Sequence, residues 1–197
     1  MSTITSKNRQ GVGGRLQQEA CCVAAGLLLL VAALPGCHSS IARGETMHLA
    51  STSFQDGSQI PAKYTYSGED FSPQLDWNAP PARTASLALI VTDPDAPGRT
   101  FTHWVLYNLP AGTRTLSEGV PGADQLWDGA FQGRNDFGEI GYRGPGPPPG
   151  SPHHYVFTLY ALDAKLNLPE GATRAQVEAA MQGHILAHGE LVGIYQR

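Results

Sequence analysis

Residues 85–97 read ASLALIVTDPDAP, an apolar run that ends in a loop with two carboxylates. The run is short and bounded by proline, which predicts a buried β-strand followed by a turn. Comparable strand-like segments recur along the chain, separated by clusters of glycine, proline and aspartate. They lie at residues 47–54, 102–109, 154–162 and 190–195.

One helix is predicted just before the last of these strands. Thr173 can cap its start, and Gln176, three residues later, completes a capping box. Apolar residues at helical spacing continue the pattern to Ile185, and Gly189 is placed to end it. Many strands with a single late helix indicate a mainly β fold, an antiparallel β-sandwich with peripheral helices.

The N-terminal segment has the pattern of a secretory signal peptide. A polar stretch with Lys7, Arg9 and Arg15 precedes an apolar run at residues 20–34. That run is shorter than the roughly 20 residues that a membrane-spanning helix needs. We therefore predict export of the chain.

The apolar run ends in LPGC at residues 34–37, which resembles a bacterial lipobox with Cys37 as the lipidated residue. Cleavage without lipidation is the alternative. His38 follows Cys37 in place of aspartate, which favours the outer membrane or its periplasmic face. The predicted division is a lipoprotein-type signal peptide, a tether and one β-rich domain, over residues 1–36, 37–46 and 47–197.

Composition excludes several classes of function. Cysteine occurs only at Cys21, Cys22 and Cys37, so the predicted domain has neither a disulfide framework nor thiol catalysis. The formal net charge of −4 becomes more negative once the leader is removed, because the leader is basic. An acidic domain of this kind is a poor candidate for nucleic-acid binding.

Three segments hold the candidate site residues. Residues 85–97 contribute the aspartates, THWVLYNLP at residues 102–110 contributes a histidine, and GYRGPGPPPGSPHHY at residues 141–155 contributes a glycine- and proline-rich loop with two more histidines. All lie at predicted strand ends, where β-proteins commonly carry their binding residues.

These ordered motifs resemble the phosphatidylethanolamine-binding protein family, whose bacterial branch is called Raf-kinase-inhibitor-like. The resemblance extends over about residues 47–195 and includes YTYSG at 64–68, SPQLDW at 72–77 and GRNDFG at 133–138. It implies a sandwich of antiparallel sheets with a small anion-binding pocket at one end and no cofactor. Motif by motif, it places in that pocket Asp93, Asp95, His103, Gly146, Pro148 and His153.

The chain departs from the family pattern at two positions. His154 stands where an arginine is common, and Gly146 stands where the bacterial branch often has a cysteine, which leaves the backbone freer. Candidate residues for the rim of the pocket are Tyr142, Arg143 and Trp127.

Residue chemistry independently supports an anion site. A bound anion can draw a proton onto an imidazole, and glycines let backbone N–H groups approach closely. Carboxylates repel phosphate, so we expect one aspartate to orient a histidine and the other to accept backbone N–H groups.

The resulting prediction is an exported, lipid-anchored binding protein with a pocket for phosphate, a phosphoryl headgroup or a carboxylate. Its partners would be a small anionic ligand or phospholipid headgroup and, through lipidated Cys37, a membrane. Two alternatives remain open: a protease-inhibitor-like module that binds a protein partner, and a hydrolase with His103 or His153 as general base. No nucleophile elbow or metal-ligand spacing is present, so neither a catalytic residue nor a metal is predicted.

Overall fold

The structure, a computed structural model, describes residues 45–126 and 129–197. The predicted signal peptide, the lipidation site Cys37 and the rim candidate Trp127 lie outside these residues. In chain order the strands are β1 (Glu45–Thr46), β2 (Leu49–Ala50), β3 (Ser58–Gln59), β4 (Leu75–Trp77), β5 (Ser86–Asp93), β6 (Phe101–Pro110), β7 (Thr115–Leu116), β8 (Phe131–Arg134), β9 (His153–Leu162), β10 (Gly171–Thr173) and β11 (Ile185–Tyr195). Helix α1 (Arg174–Met181) lies between β10 and β11, and a 3-10 turn covers Ala62–Tyr64.

The described strands form two sheets. The larger has the order β1-β11-β9-β5-β6-β8-β10, with β3 also paired to β11, and the smaller has the order β2-β4-β7. The pairs from β11 through β9, β5 and β6 to β8 are antiparallel, whereas β1, β3 and β10 join in parallel. The predicted fold class, mainly β with antiparallel sheets, is confirmed.

Strand β5 lies at the centre of the larger sheet and is buried on both faces, which explains its continuous apolar sequence. One face packs against the smaller sheet in a single hydrophobic cluster that includes Leu89, Trp104 and Leu75. The other face packs against α1 through Val177 and Met181. The sandwich therefore follows from covering both sides of one apolar strand.

The helix is shorter than the sequence pattern predicts. Its capping box between Thr173 and Gln176 forms as expected, but the helix ends at Met181. Gly183 follows with φ +82°, a conformation that glycine adopts without steric cost. The predicted continuation to Ile185 and Gly189 is wrong, because both residues belong to β11, which pairs with β9 from Ile185 onward. No helix in the described ranges is long and apolar enough to cross a membrane.

The strand predicted over residues 47–54 is reduced to the two residues of β2. After Ala50 the side chains of serine and threonine bond to Gln74 in place of a regular ladder. The N–H of Thr52 donates to Gln74 Oε1 at 2.8 Å, and the N–H of Gln74 donates to Ser53 Oγ at 3.2 Å. These side-chain bonds to the segment before β4 take the place of sheet pairing, and the strand ends early.

The outer edge of β11 is covered near both of its ends. β1 pairs with Ala187 and His188, and β3 pairs with Gly193 and Ile194. Between them, the N–H of Val192 donates to Asp56 Oδ1 at 2.8 Å. The last strand of the chain therefore has partners on both sides.

Candidate functional site

A cavity of about 250 Å³ opens where β5 ends and where β6 and β9 begin. Because β5 is antiparallel to both neighbours, its C-terminal end meets their N-terminal ends. We call this cavity the histidine cavity. Five of the six predicted pocket residues line it: Asp93, His103, Gly146, Pro148 and His153.

Asp93 and His153 form a buried pair within the lining. Asp93 Oδ2 lies 2.7 Å from His153 Nδ1, so Nδ1 carries the proton and Nε2 is the ring nitrogen available to a ligand. The second carboxylate oxygen of Asp93 accepts the N–H of Asp95 at 2.9 Å. Both oxygens of Asp93 are thus engaged by protein donors.

His103 is also buried, but none of the described carboxylates is hydrogen-bonded to its ring. Its Nδ1 lies 2.7 Å from the carbonyl oxygen of Arg143, and a carbonyl only accepts, so Nδ1 is again the protonated nitrogen. The ring packs edge-on against Tyr155 and Phe137, with centroids 5.1 and 5.5 Å away. Burial lowers the pKa of His103 below the ordinary value of 6.5, which favours a neutral imidazole.

Tyr155 is a lining residue that the sequence analysis missed. It is only 1% exposed, and its hydroxyl makes no hydrogen bond of standard geometry with a described residue, although Asp93 and the backbone of Gly146 lie close to it. Burial, together with the nearby charge of Asp93, raises the pKa of this hydroxyl, which therefore stays protonated. The available signal was its position two residues after His153, which places both side chains on one face of β9.

Asp95 and His154 form a second pair that is exposed and outside the lining. Asp95 Oδ2 accepts the backbone N–H of His154 at 2.8 Å and lies 2.8 Å from its Nδ1. These bonds, the backbone one first, lower the pKa of Asp95. The loop that carries Asp95 is therefore hydrogen-bonded to the start of β9. His154 makes these bonds at the position where the family resemblance implies an arginine.

The glycine- and proline-rich loop is tightly packed against residues 64–70. A Cβ on Gly144 would lie 2.3 Å from the carbonyl oxygen of Tyr64, and its N–H donates to Asp70 Oδ1 at 2.7 Å. A Cβ on Gly146 would lie 3.1 Å from Cβ of Tyr66. Glycine at position 146 therefore permits close packing against Tyr66, and its effect on the freedom of the backbone stays a prediction.

Tyr142 and Arg143, two of the predicted rim residues, do not line the histidine cavity. Arg143 Nη1 donates to Asp70 Oδ2 at 2.6 Å, and the Tyr142 hydroxyl donates to the carbonyl of Tyr64 at 2.7 Å. The structure therefore places both in supporting contacts, with Arg143 also accepting from His103 through its carbonyl.

Comparison with known sequences identifies close relatives. A family model described as phosphatidylethanolamine-binding protein matches residues 50–196. A UPF0098 protein of Methanothermobacter thermautotrophicus is 49% identical over 151 residues, which are 77% of this chain and 99% of the relative. The UPF0098 protein YbhB of Escherichia coli is 40% identical over 157 residues, with coverage of 76% and 99%.

Solved structures agree with the sequence comparison. The phosphatidylethanolamine-binding protein homologue CT736 of Chlamydia trachomatis superimposes with a TM-score of 0.71 at 42% identity, covering 78% of this chain and 99% of that one. YbcL of Escherichia coli, a member of the mammalian family, gives 0.72 at 33% identity, with coverage of 77% and 98%. With both the family model and these relatives spanning most of the chain, the protein belongs to the phosphatidylethanolamine-binding protein family.

Proposed function

We propose that this protein is an exported, lipid-anchored binding protein whose histidine cavity takes a small oxyanion. Candidate ligands are phosphate, a phosphoryl headgroup and a terminal carboxylate. The observation that carries the proposal is the convergence of two buried histidines and an unpartnered tyrosine hydroxyl on one cavity.

The donors in the cavity suit an anion in spite of the nearby carboxylate. Asp93 directs one oxygen to His153 and the other to the N–H of Asp95, so its acceptor atoms are occupied. A ligand oxygen would meet Nε2 of the two histidines and the Tyr155 hydroxyl. A bound anion favours protonation of the imidazoles, which converts Nε2 from an acceptor into a charged donor.

The dimensions of the site favour a small ligand or one end of a larger one. A volume of about 250 Å³ holds a phosphate with a short substituent. Phe101 and Phe137 form an aromatic wall with ring centroids 4.9 Å apart, and Phe137 is 40% exposed. Such a wall can contact an ammonium group, and the family is named for binding phosphatidylethanolamine, whose headgroup carries both charges.

The proposed location rests on the leader. The basic segment, the apolar run at residues 20–34 and the lipobox-like LPGC at 34–37 support export and lipidation at Cys37. An acyl anchor there would hold the folded domain in water beside a membrane surface. Metabolic labelling with a tagged fatty acid tests this, since label is expected on the wild-type chain and not on Cys37→Ala. An unlabelled wild-type chain in a host that processes lipoproteins would overturn the anchor.

An NMR titration of the full-length chain tests the cavity. Inorganic phosphate and phosphoethanolamine are expected to give saturable shifts of the imidazole signals of His103 and His153, with the pKa of His103 rising on binding. His153→Gln should abolish the response. His184→Gln is the matched control. His184 forms an exposed pair with Asp163, with 2.8 Å between Nδ1 and Oδ1, and neither residue lines the histidine cavity. No saturable shift at concentrations on the order of 10 mM, beyond the range of weak binding, would contradict the proposal.

A further inference from the structure

A second cavity, of about 300 Å³, is lined by three arginines from separate segments of the chain. Arg99 comes from the loop between β5 and β6, Arg134 ends β8, and Arg174 begins α1. We call it the arginine cavity. Asp136 is the only carboxylate in its described lining, so the lining carries three positive charges and one negative charge.

The backbone explains why these arginines converge. β10 pairs in parallel with β8, and the partner of Arg134 in that register is Thr173, which directly precedes Arg174. The start of β6 is joined to the same place, because the N–H of Thr102 donates to Asp136 Oδ2 at 2.6 Å and its carbonyl accepts the N–H of Asp136 at 2.9 Å. Three elements therefore hold the cavity together.

Each guanidinium is positioned through one nitrogen within the described residues. Arg99 Nη1 lies 3.0 Å from Asp136 Oδ1, and Arg134 Nη1 donates to the carbonyl of Gly138 at 2.6 Å. Arg174 Nε lies 3.6 Å from Glu178 Oε1. Because a guanidinium has five N–H donors in a planar fork, most of these donors remain available.

We propose that the arginine cavity binds a phosphate group, supplied as inorganic phosphate or as a phosphate monoester. Planar guanidinium groups match phosphate in two-point hydrogen bonds, and three of them provide more positive charge than Asp136 balances. The two cavities are neighbours with separate linings: no residue lines both, and Arg99 packs over the ring of Phe101, which lines the histidine cavity, with 5.6 Å to the ring centroid.

The chain as a whole argues against non-specific attraction. Its formal net charge is −4, so a phosphate group is repelled by the molecule on average and is drawn to this locality only by the arginine cluster. Binding should therefore weaken as ionic strength rises, since Arg99 and Arg134 are exposed and their charges are screened by salt, whereas Arg174 is half-buried.

The test is a titration of the isotope-labelled full-length chain with inorganic phosphate in one arm and glycerol 3-phosphate in the other. The readouts are the Nε–Hε signals of Arg99, Arg134 and Arg174, while the imidazole signals of His103 and His153 report the histidine cavity separately. The double variant Arg134→Gln/Arg174→Gln should weaken the arginine response by about tenfold or more and leave the histidine response unchanged. The arm with the lower dissociation constant identifies the preferred source of phosphate.

Two further variants keep the result interpretable. Arg83→Gln removes the same charge from an exposed arginine near the opposite end of β5 and should leave binding unchanged. Arg134→Lys keeps the charge but loses the planar fork, and should weaken binding less than Arg134→Gln. The proposal is overturned if neither probe gives a saturable arginine shift, or if Arg83→Gln weakens binding as much as Arg134→Gln. A response at the arginines without one at the histidines would refute the proposed function and support this second site.

Discussion

Two aspartate–histidine pairs stand side by side in this molecule, and they differ mainly in burial. Asp93 and His153 are joined at 2.7 Å with side chains 5% and 10% exposed, whereas Asp95 and His154 are joined at 2.8 Å with side chains 42% and 50% exposed. The chain supplies both pairs from the same two segments, in the same order. Alternation along β9 places one histidine inside and the next outside.

The difference shows that the same chemical pair serves two purposes. In the buried pair, a fixed carboxylate selects the tautomer of a histidine that faces a cavity. In the exposed pair, the carboxylate also accepts a backbone N–H, and the result is a loop fastened to a strand. Solvent screening makes the exposed pair weak, while burial makes the other costly to break.

The largest expected effect is that of Asp93→Ala. It leaves His153 buried without its partner, so the free energy of unfolding should fall by about 3 kcal/mol. Phosphate binding should also weaken, although a negative charge is removed, because the imidazole loses its orientation. Urea denaturation and calorimetric titration with phosphate measure the two effects. If the free energy of unfolding falls by less than about 1 kcal/mol, or if phosphate binding is unchanged or tighter, then burial does not make the Asp93–His153 pair stronger than the Asp95–His154 pair.

His103 provides the case of burial without a carboxylate, and its effect appears in the pH dependence of stability. Its pKa in the folded state is lowered by burial, so the unfolded chain binds more protons as pH falls through the ordinary value of 6.5. Neutral His103 therefore makes its full contribution to the free energy of unfolding above pH 6.5. That contribution is lost progressively as the pH falls from 6.5 to the pKa of His103 in the folded state.

His103→Gln should therefore show a shallower loss of unfolding free energy between about pH 7 and 5 than the wild type, by about 1 kcal/mol. Urea denaturation across that range measures the difference. Identical slopes in the two proteins would show that the imidazole is as well solvated as in the unfolded chain.

Asp95→Ala should cost about 0.5 kcal/mol, because an exposed pair contributes little. The pKa of Asp95 is lowered in the folded state, so its contribution is full above the ordinary value of 3.8 and disappears as pH falls below it. A double-mutant cycle with His154→Ala, measured by urea denaturation, isolates the pair. If the coupling energy between Asp95 and His154 is as large as that between Asp93 and His153, then exposure to solvent does not weaken the second pair.

The smallest effect is expected for His154→Arg, which introduces the residue common in the family. Arginine can still donate to Asp95, so the unfolding free energy should change by less than about 0.5 kcal/mol and phosphate binding should not change. Thermal denaturation with and without phosphate checks both. A large gain in either would show that His154 supports the acidic loop poorly.

Much of this architecture could be predicted from local sequence. The run at residues 85–97 identifies a strand buried on both faces, and Thr173 with Gln176 identifies the start of α1, because these signals depend on neighbouring residues. The second half of β11 was predicted as a strand at residues 190–195, but its start at Ile185 was not, since its buried face is built from small residues such as Ala187, Gly189 and Gly193. Gly193 is required because Ile60 would lie 2.4 Å from an added Cβ, a long-range contact without a local signal.

The residues of the histidine cavity could likewise be predicted only in part from the sequence. The motifs that resemble the family indicated which histidines and aspartates to consider, but not which aspartate lies in the lining. The position of Tyr155 could have been predicted from its spacing of two residues after His153. The contact of His154 with Asp95 could not, because it depends on how the loop after β5 folds back onto β9. The arginine cavity had no local signal, because Arg134 and Arg174 meet through the pairing of β8 with β10, and Arg99 joins them through the contacts between Thr102 and Asp136.

The covered edge of β11 affects how molecules of this protein associate with one another at high concentration. An open strand edge is a template on which a second chain can extend the sheet, and such edges promote aggregation. Here β1, β3 and the Asp56 side chain occupy the outer hydrogen-bonding groups of β11. A second molecule would therefore find this edge occupied at residues 187–188 and 192–194, which disfavours extension of the sheet from one molecule to the next.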